Sequence, residues 1–158
     1  MAKGKTNAMR LLDSAKVPYE VLSYESKDGK IDGLSVAEKI GKDPEIVYKT
    51  LVVQGSSKEV YVFVIPAGAE LSLKRAAAAA GEKKVEMVAV KDIQKLTGYI
   101  RGGCSPIGMT KKYQTFIHEA CKGKGEIIVS GGKIGMQVSL EPDRLAELTS
   151  ARFVNITQ

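Results

Sequence analysis

Lys49 is the one charge in an otherwise apolar run, Val47-Tyr48-Lys49-Thr50-Leu51-Val52-Val53. A period of two puts it on the strand face of Leu51 and Val53, where a cation must snorkel to a rim, find a partner or line a pocket. Two glycine-rich segments accompany it, Gly102-Gly103-Cys104-Ser105-Pro106-Ile107-Gly108 and Ser130-Gly131-Gly132-Lys133-Ile134-Gly135. Both read as turns interrupting apolar stretches, where glycine serves a positive φ or the close approach of another molecule to the main chain. A lysine beside two amide-bearing turns suggests one pocket, with the cation gripping a phosphate or ribose-linked group. Main-chain N–H groups would hold a substrate carbonyl or its developing oxyanion. The plainer readings are a strand-end lysine with its ammonium in water and two ordinary tight turns.

The familiar nucleophile sets are missing. Cys104 would need a base or a strong positive field to become a thiolate. The only histidine, His118, sits in the strand-like run Thr115-Phe116-Ile117-His118-Glu119 and reads as structural. Ser105 and Ser130 could donate hydroxyl hydrogen bonds, but neither lies in a G-x-S-x-G elbow. No G-x-x-x-x-G-K-[ST] loop exists, and no G-x-G-x-x-G follows a strand, so ATP and dinucleotides are disfavoured. Two cysteines and one histidine cannot supply the four ligands of a structural zinc. Cys104 and Cys121 are read as free thiols, and neither a metal nor an organic cofactor is implied.

The elements that must position these residues are legible in outline. A helix is predicted over Asn7–Lys16, ended by Pro18. Ser35-Val36-Ala37-Glu38 reads as a capping box opening a short helix to Gly41, and Asp43-Pro44 starts another helical turn. Val47–Gln54 and Val60–Pro66 are apolar on both faces and so read as central strands, joined through Gly55-Ser56-Ser57-Lys58. Ser72 and Gly81 bracket a helix over the five-alanine run. A third strand is expected at Val85–Ala89, and a helix over Lys91–Thr97 closed by Gly98. Further strands fit Thr115–Glu119, Glu126–Ser130, Met136–Leu140 and Phe153–Thr157, with a helix from near Pro142 between the last two. This mixture is α+β rather than strict βαβ alternation. It predicts a single domain over residues 1–158 with a mixed, mostly antiparallel sheet curling toward a barrel and peripheral helices.

With 158 residues, 44% of them hydrophobic and 27% charged, the chain is long and apolar enough to bury a real core. The first residues carry no apolar leader and no run has the length of a membrane span, so a cytoplasmic protein with no membrane association is expected. Its 24 basic against 18 acidic residues give a net charge of +6, with basic doublets at Lys83-Lys84 and Lys111-Lys112. That balance suits a polyanion partner or simply a mixed solvated surface, and no RNA-reading aromatic motif decides between them.

Four ordered segments carry a family resemblance: Tyr48 to Val53, Lys84 to Met87, Thr97 to Gly108 and Val129 to Gly135. They resemble the signatures of the YbaK/EbsC family, and the match runs from Lys16-Val17-Pro18 to the final strand. Its nearest subgroup is the YbaK-type Cys-tRNA(Pro) deacylases, relatives of the editing domain inserted in bacterial prolyl-tRNA synthetases. The resemblance implies a free-standing hydrolase that cleaves the cysteinyl ester at the 3′ end of tRNA(Pro), with prolyl-tRNA synthetase as the expected protein partner and no DNA. It implies that the substrate's own thiol attacks its ester. It makes Lys49 the essential residue and places Tyr24, Thr50, Gly102 and Ser130 around the substrate; Lys49 and Gly102 are expected to be catalytic, and the glycine-rich segments add Gly103, Ser105, Gly131 and Gly132 as expected substrate contacts. One departure stands out: Gln137 occupies a position where some members carry aspartate. Other readings are an Ala-tRNA(Pro) deacylase using water, or a non-catalytic module binding tRNA or a synthetase.

Overall fold

The computed structural model describes residues 5–158. Among the described residues five α-helices form, the first three started by a side-chain cap: α1 (Asn7–Ser14), α2 (Gly33–Ile40), α3 (Leu73–Ala80), α4 (Val90–Thr97) and α5 (Pro142–Thr149). The Thr6 hydroxyl accepts the Met9 N–H and starts α1, whose inner face buries Ala8, Met9 and Leu12. Full burial of a side chain like Leu12 contributes on the order of 2 kcal/mol. This helix stops before the predicted Lys16, which takes a positive φ of 58°, so Pro18 plays no part in ending it. The cap of α2 is Asp32 rather than Ser35: the Asp32 carboxylate accepts both the Ser35 N–H and its hydroxyl, which puts Ser35 inside the helix. For α3 the expected pair holds, with Ser72 capping the start and Gly81 in the left-handed region at the end. Gly98 likewise closes α4.

The described residues also form eight strands, in chain order β1 (Glu20–Ser23), β2 (Tyr48–Gly55), β3 (Val60–Pro66), β4 (Val85–Met87), β5 (Gln114–His118), β6 (Ile127–Lys133), β7 (Met136–Leu140) and β8 (Arg152–Val154). They lie in two sheets, one ordered β1-β7-β6 and the other β4-β2-β3-β5-β8. The fold is α+β with mixed, mostly antiparallel pairing, as the element pattern requires. Only β3–β5 and β5–β8 run parallel. The sheets meet through a parallel bridge between Val47 and Ile128 and do not close into a barrel.

Apolar residues on both faces of β2 and β3 place these strands inside the larger sheet. One face turns Tyr48, Val62, Val64 and Ile117 toward Ile127, Val129, Val138 and Leu140 of the smaller sheet, and α1 and Leu145 of α5 close that layer. On the other face Val53, Phe63, Ile65 and Phe116 pack beneath Ala76 and Ala77 of α3. Phe63 and Phe116 stack there with ring centroids 5.0 Å apart.

Three differences from the sequence expectation bear on the site. Strand β1 was not foreseen, because it is a short edge strand with Glu20, Val21 and Ser23 exposed and no clean alternation to read. The Ser130-to-Lys133 segment is not a turn: β6 continues through it with a register shift between Ser130 and Lys133, and the chain reverses only at Ile134-Gly135. Gly132 supplies the backbone for that irregularity at φ 109°. The last strand covers only Arg152–Val154, with Thr157 bridging back to Leu71.

Candidate functional site

A cavity of about 110 Å³ opens at the seam where the two sheets meet. Its walls bring together Lys49 and Thr50 at the start of β2, Ser130 on β6, and Gly102 and Cys104 from the loop after α4. Ile31, Gly33 and Val36 close one side and Gln137 of β7 another. A larger hollow of about 200 Å³ lies between Leu11, Ile107, Tyr113 and Leu148; it is mostly apolar and contains none of the predicted residues.

Lys49 is half-buried on the strand face of Leu51 and Val53, near the start of β2 and short of the stretch that pairs with β4. Among the described residues no carboxylate lies within ion-pair distance of it, and none lines the cavity. A cation in that setting is free to meet an anionic or electron-rich group on a guest.

The hydroxyl of Thr50 is buried without a hydrogen-bond partner, as is that of Tyr24. Tyr48 also lacks a conventional partner, but its hydroxyl rests beside the Cys121 thiol, a weak one. Buried polar groups are nearly always paired, so these orphans stand out. The Ser130 hydroxyl accepts the Gly132 N–H at 3.2 Å and keeps its own proton to donate.

The glycine amides divide into spent and free. Gly103 N–H donates to the Ile100 carbonyl at 2.9 Å, and Gly132 N–H is taken by Ser130. Among the described residues the amides of Gly102 and Cys104 donate to no protein acceptor, and both residues line the cavity. Of the residues that line the cavity, Gly102 and Cys104 are therefore the two from the glycine-rich loop whose amides are not taken up by the protein.

Four of the predicted contacts lie behind this wall. Ser105 is fully buried, with its hydroxyl accepting the Ile107 N–H at 3.2 Å. Gly103 abuts the backbone of Lys133 and Ile134, Gly131 packs near Met9, and Gly132 faces Thr6 and Tyr99. Tyr24 does not line the cavity; its N–H donates to the Gly135 carbonyl. Gln137 sits on the wall, is only 6% exposed and faces Ser130 directly across the β6–β7 ladder. The family resemblance already marks this position, and the cross-strand pairing is what brings it to the wall, since opposed residues share a sheet face. Ile31, Gly33 and Val36 gave no signal in the sequence.

Cys104 is a neutral thiol. Burial pushes it up to about 11, outweighing the Thr97 hydroxyl beside it. Burial raises Cys121 to about 11 as well, and both cysteines are free. His118 has its own task away from the cavity: its Nδ1 accepts the Ile156 N–H at 3.3 Å, and burial lowers its pKa. No three His, Cys, Asp or Glu side chains converge among the described residues. In the same residues no helix is long and apolar enough to cross a membrane.

Fold and cavity together define an α+β protein with a narrow pocket of mixed polar and apolar lining at a sheet seam. Residues 34–148 match the family model described as "Aminoacyl-tRNA editing domain". The chain belongs to that family. An Enterococcus faecalis protein named "Putative Cys-tRNA(Pro)/Cys-tRNA(Cys) deacylase EbsC" is 46% identical over 153 residues, covering 97% of this chain and 93% of its own length. A solved structure described as "a putative trans-editing enzyme for prolyl tRNA synthetase" superposes with a TM-score of 0.84 at 20% identity, over 99% of both chains. Another, "hypothetical protein APE2540", gives 0.87 at 20% identity over 96% of this chain and 99% of its own. At such identities the two solved structures speak for the fold alone.

Proposed function

We propose that residues 1–158 form one editing domain that removes cysteine from mischarged Cys-tRNA(Pro) in the cytoplasm. The observation that supports this most is the cavity itself. An unpaired lysine, an orphaned threonine hydroxyl and two free amides meet there, with no carboxylate and no ionised nucleophile. Such a site holds a guest well but has little with which to attack it.

The guest supplies the attack. The cysteinyl sulfur adds to its own ester carbonyl carbon, the carbon–oxygen bond to the ribose breaks, and the thiol proton passes to the departing ribose oxygen. The products are free tRNA and a cyclic thiolactone. A few per cent of thiolate at neutral pH is sufficient, because well-oriented intramolecular reactions reach effective molarities of about 10⁵–10⁸ M. General acid–base help contributes only roughly 10²–10⁴-fold. In this reading Gly102 and Cys104 amides receive the carbonyl oxygen, and Thr50 and Ser130 orient the aminoacyl group. Lys49 anchors the terminal adenosine or its phosphate. Gln137, in place of a carboxylate, leaves the cavity without an anion to repel the substrate thiolate. Selectivity for tRNA(Pro) comes from prolyl-tRNA synthetase as a partner, which co-purification tests.

Deacylation of Cys-tRNA(Pro) and Ala-tRNA(Pro) side by side tests the mechanism. The expected result is cleavage of the cysteinyl ester alone, with Lys49→Ala at least about 10²-fold slower and equally well folded. Equal cleavage of both esters would mean that water is the nucleophile, and tight tRNA binding without cleavage would mean a binding module.

A further inference from the structure

Lys39 lies on α2, outside the cavity, yet its ammonium has an unusual density of partners. It donates to the Glu25 carbonyl at 2.6 Å, to Asp28 Oδ1 at 2.8 Å and to the Lys30 carbonyl at 2.9 Å. It also stands 5.7 Å from the centre of the Tyr24 ring. All three donor positions are used, and the side chain is only 19% exposed, so this is not a loose surface pair.

The three acceptors span one strap, residues 25–31, which joins β1 to α2. Within the strap only short local bonds form, from Gly29 N–H to the Ser26 carbonyl and from Lys30 N–H to Asp28. Lys39 is the group that ties this strap to a helix. What the strap delivers is a cavity wall: Ile31 lines the pocket, and its Cδ1 would lie 2.7 Å from a Cβ placed on Gly102. At its other end stands Tyr24, with its orphaned hydroxyl.

We infer that Lys39 is a positioning residue for the pocket: its ammonium clamps the 25–31 strap to α2 and thereby sets Ile31 against Gly102. This rests on the editing reading for the reaction whose rate reports it, while the clamp itself stands on geometry. An orienting site is sensitive to small displacements of its walls, where a shift of about 1 Å can cost on the order of 10²-fold.

Lys39→Met keeps the stem and removes the donors; Lys39→Arg keeps charge and donors. Amide hydrogen exchange is measured on the free protein, and steady-state kinetics on Cys-tRNA(Pro). For Lys39→Met, exchange across 27–31 should accelerate about tenfold or more while β2 and β3 keep wild-type protection. Its kcat should fall at least about fivefold with KM changed less. Lys39→Arg should recover most of both. A strap as protected in Lys39→Met as in the wild type overturns the clamp, and a loosened strap with unchanged KM and kcat overturns the positioning role. If wild-type protein does not cleave Cys-tRNA(Pro), the editing reading falls, and the exchange measurement alone then decides the clamp.

Discussion

Gly103 and Lys133 touch main chain to main chain. A Cβ on Gly103 would lie 2.8 Å from Lys133 Cα and 2.9 Å from the Ile134 nitrogen. The contact holds the loop bearing Gly102 and Cys104 against the end of β6, so two segments thirty residues apart form one wall. Backbone atoms, unlike a flexible side-chain tip, cannot step aside. Gly103→Ala should therefore cost about 1–3 kcal/mol, the usual penalty for overpacking, and lower deacylation with it. Gly125→Ala, where an added Cβ meets nothing within 4 Å, is the control and should melt like the wild type. An unchanged Tm in Gly103→Ala would mean that the two segments are not fixed together.

The orphaned Thr50 hydroxyl separates function from stability. Thr50→Val deletes a buried polar group that has no protein partner, so the free protein should be as stable or more so. If that hydroxyl bonds the guest, kcat/KM for Cys-tRNA(Pro) should fall about tenfold, the worth of one hydrogen bond of on the order of 1–1.5 kcal/mol. Thermal melts and kinetics on the same preparation check both halves. A large loss of Tm would instead reveal a structural partner for the hydroxyl.

Cys104 lines the cavity as a neutral thiol held up to about 11 by burial. Cys104→Ser should accordingly leave kcat/KM within about twofold, because a protonated thiol is no nucleophile. Its signature is in stability instead. The folded protein keeps both thiols neutral up to about 11, while in the unfolded chain they ionise near their ordinary value of 9. Their contribution is complete below about pH 9 and is lost as pH rises toward about 11. Tm measured from pH 7 to pH 11 should fall above about 9, less steeply in Cys104→Ser. A Cys104→Ser protein that folds but does not turn over would reject the substrate-thiol mechanism.

Local chemistry was readable along the chain, and long-range pairing was not. Ser72 and Gly81 delimit α3, and Gly98 closes α4, because caps act within one turn of their own helix. The both-sided apolar runs of β2 and β3 placed them at the centre of a sheet. The likeness of four ordered segments to a family singled out Lys49, Thr50, Gly102 and Ser130, which share one cavity. Tertiary structure decided the rest. Asp32 displaced Ser35 as the cap of α2, Gly131-Gly132 became a strand irregularity instead of a turn, and Gly103, Ser105, Gly131 and Gly132 went behind the wall. Ile31 reached the pocket on the strap between β1 and α2, and Gln137, a position the resemblance marks, reached it through its cross-strand register with Ser130. Propensity and periodicity are written in neighbouring residues; which backbone amides remain free for a guest is fixed only when distant segments have paired.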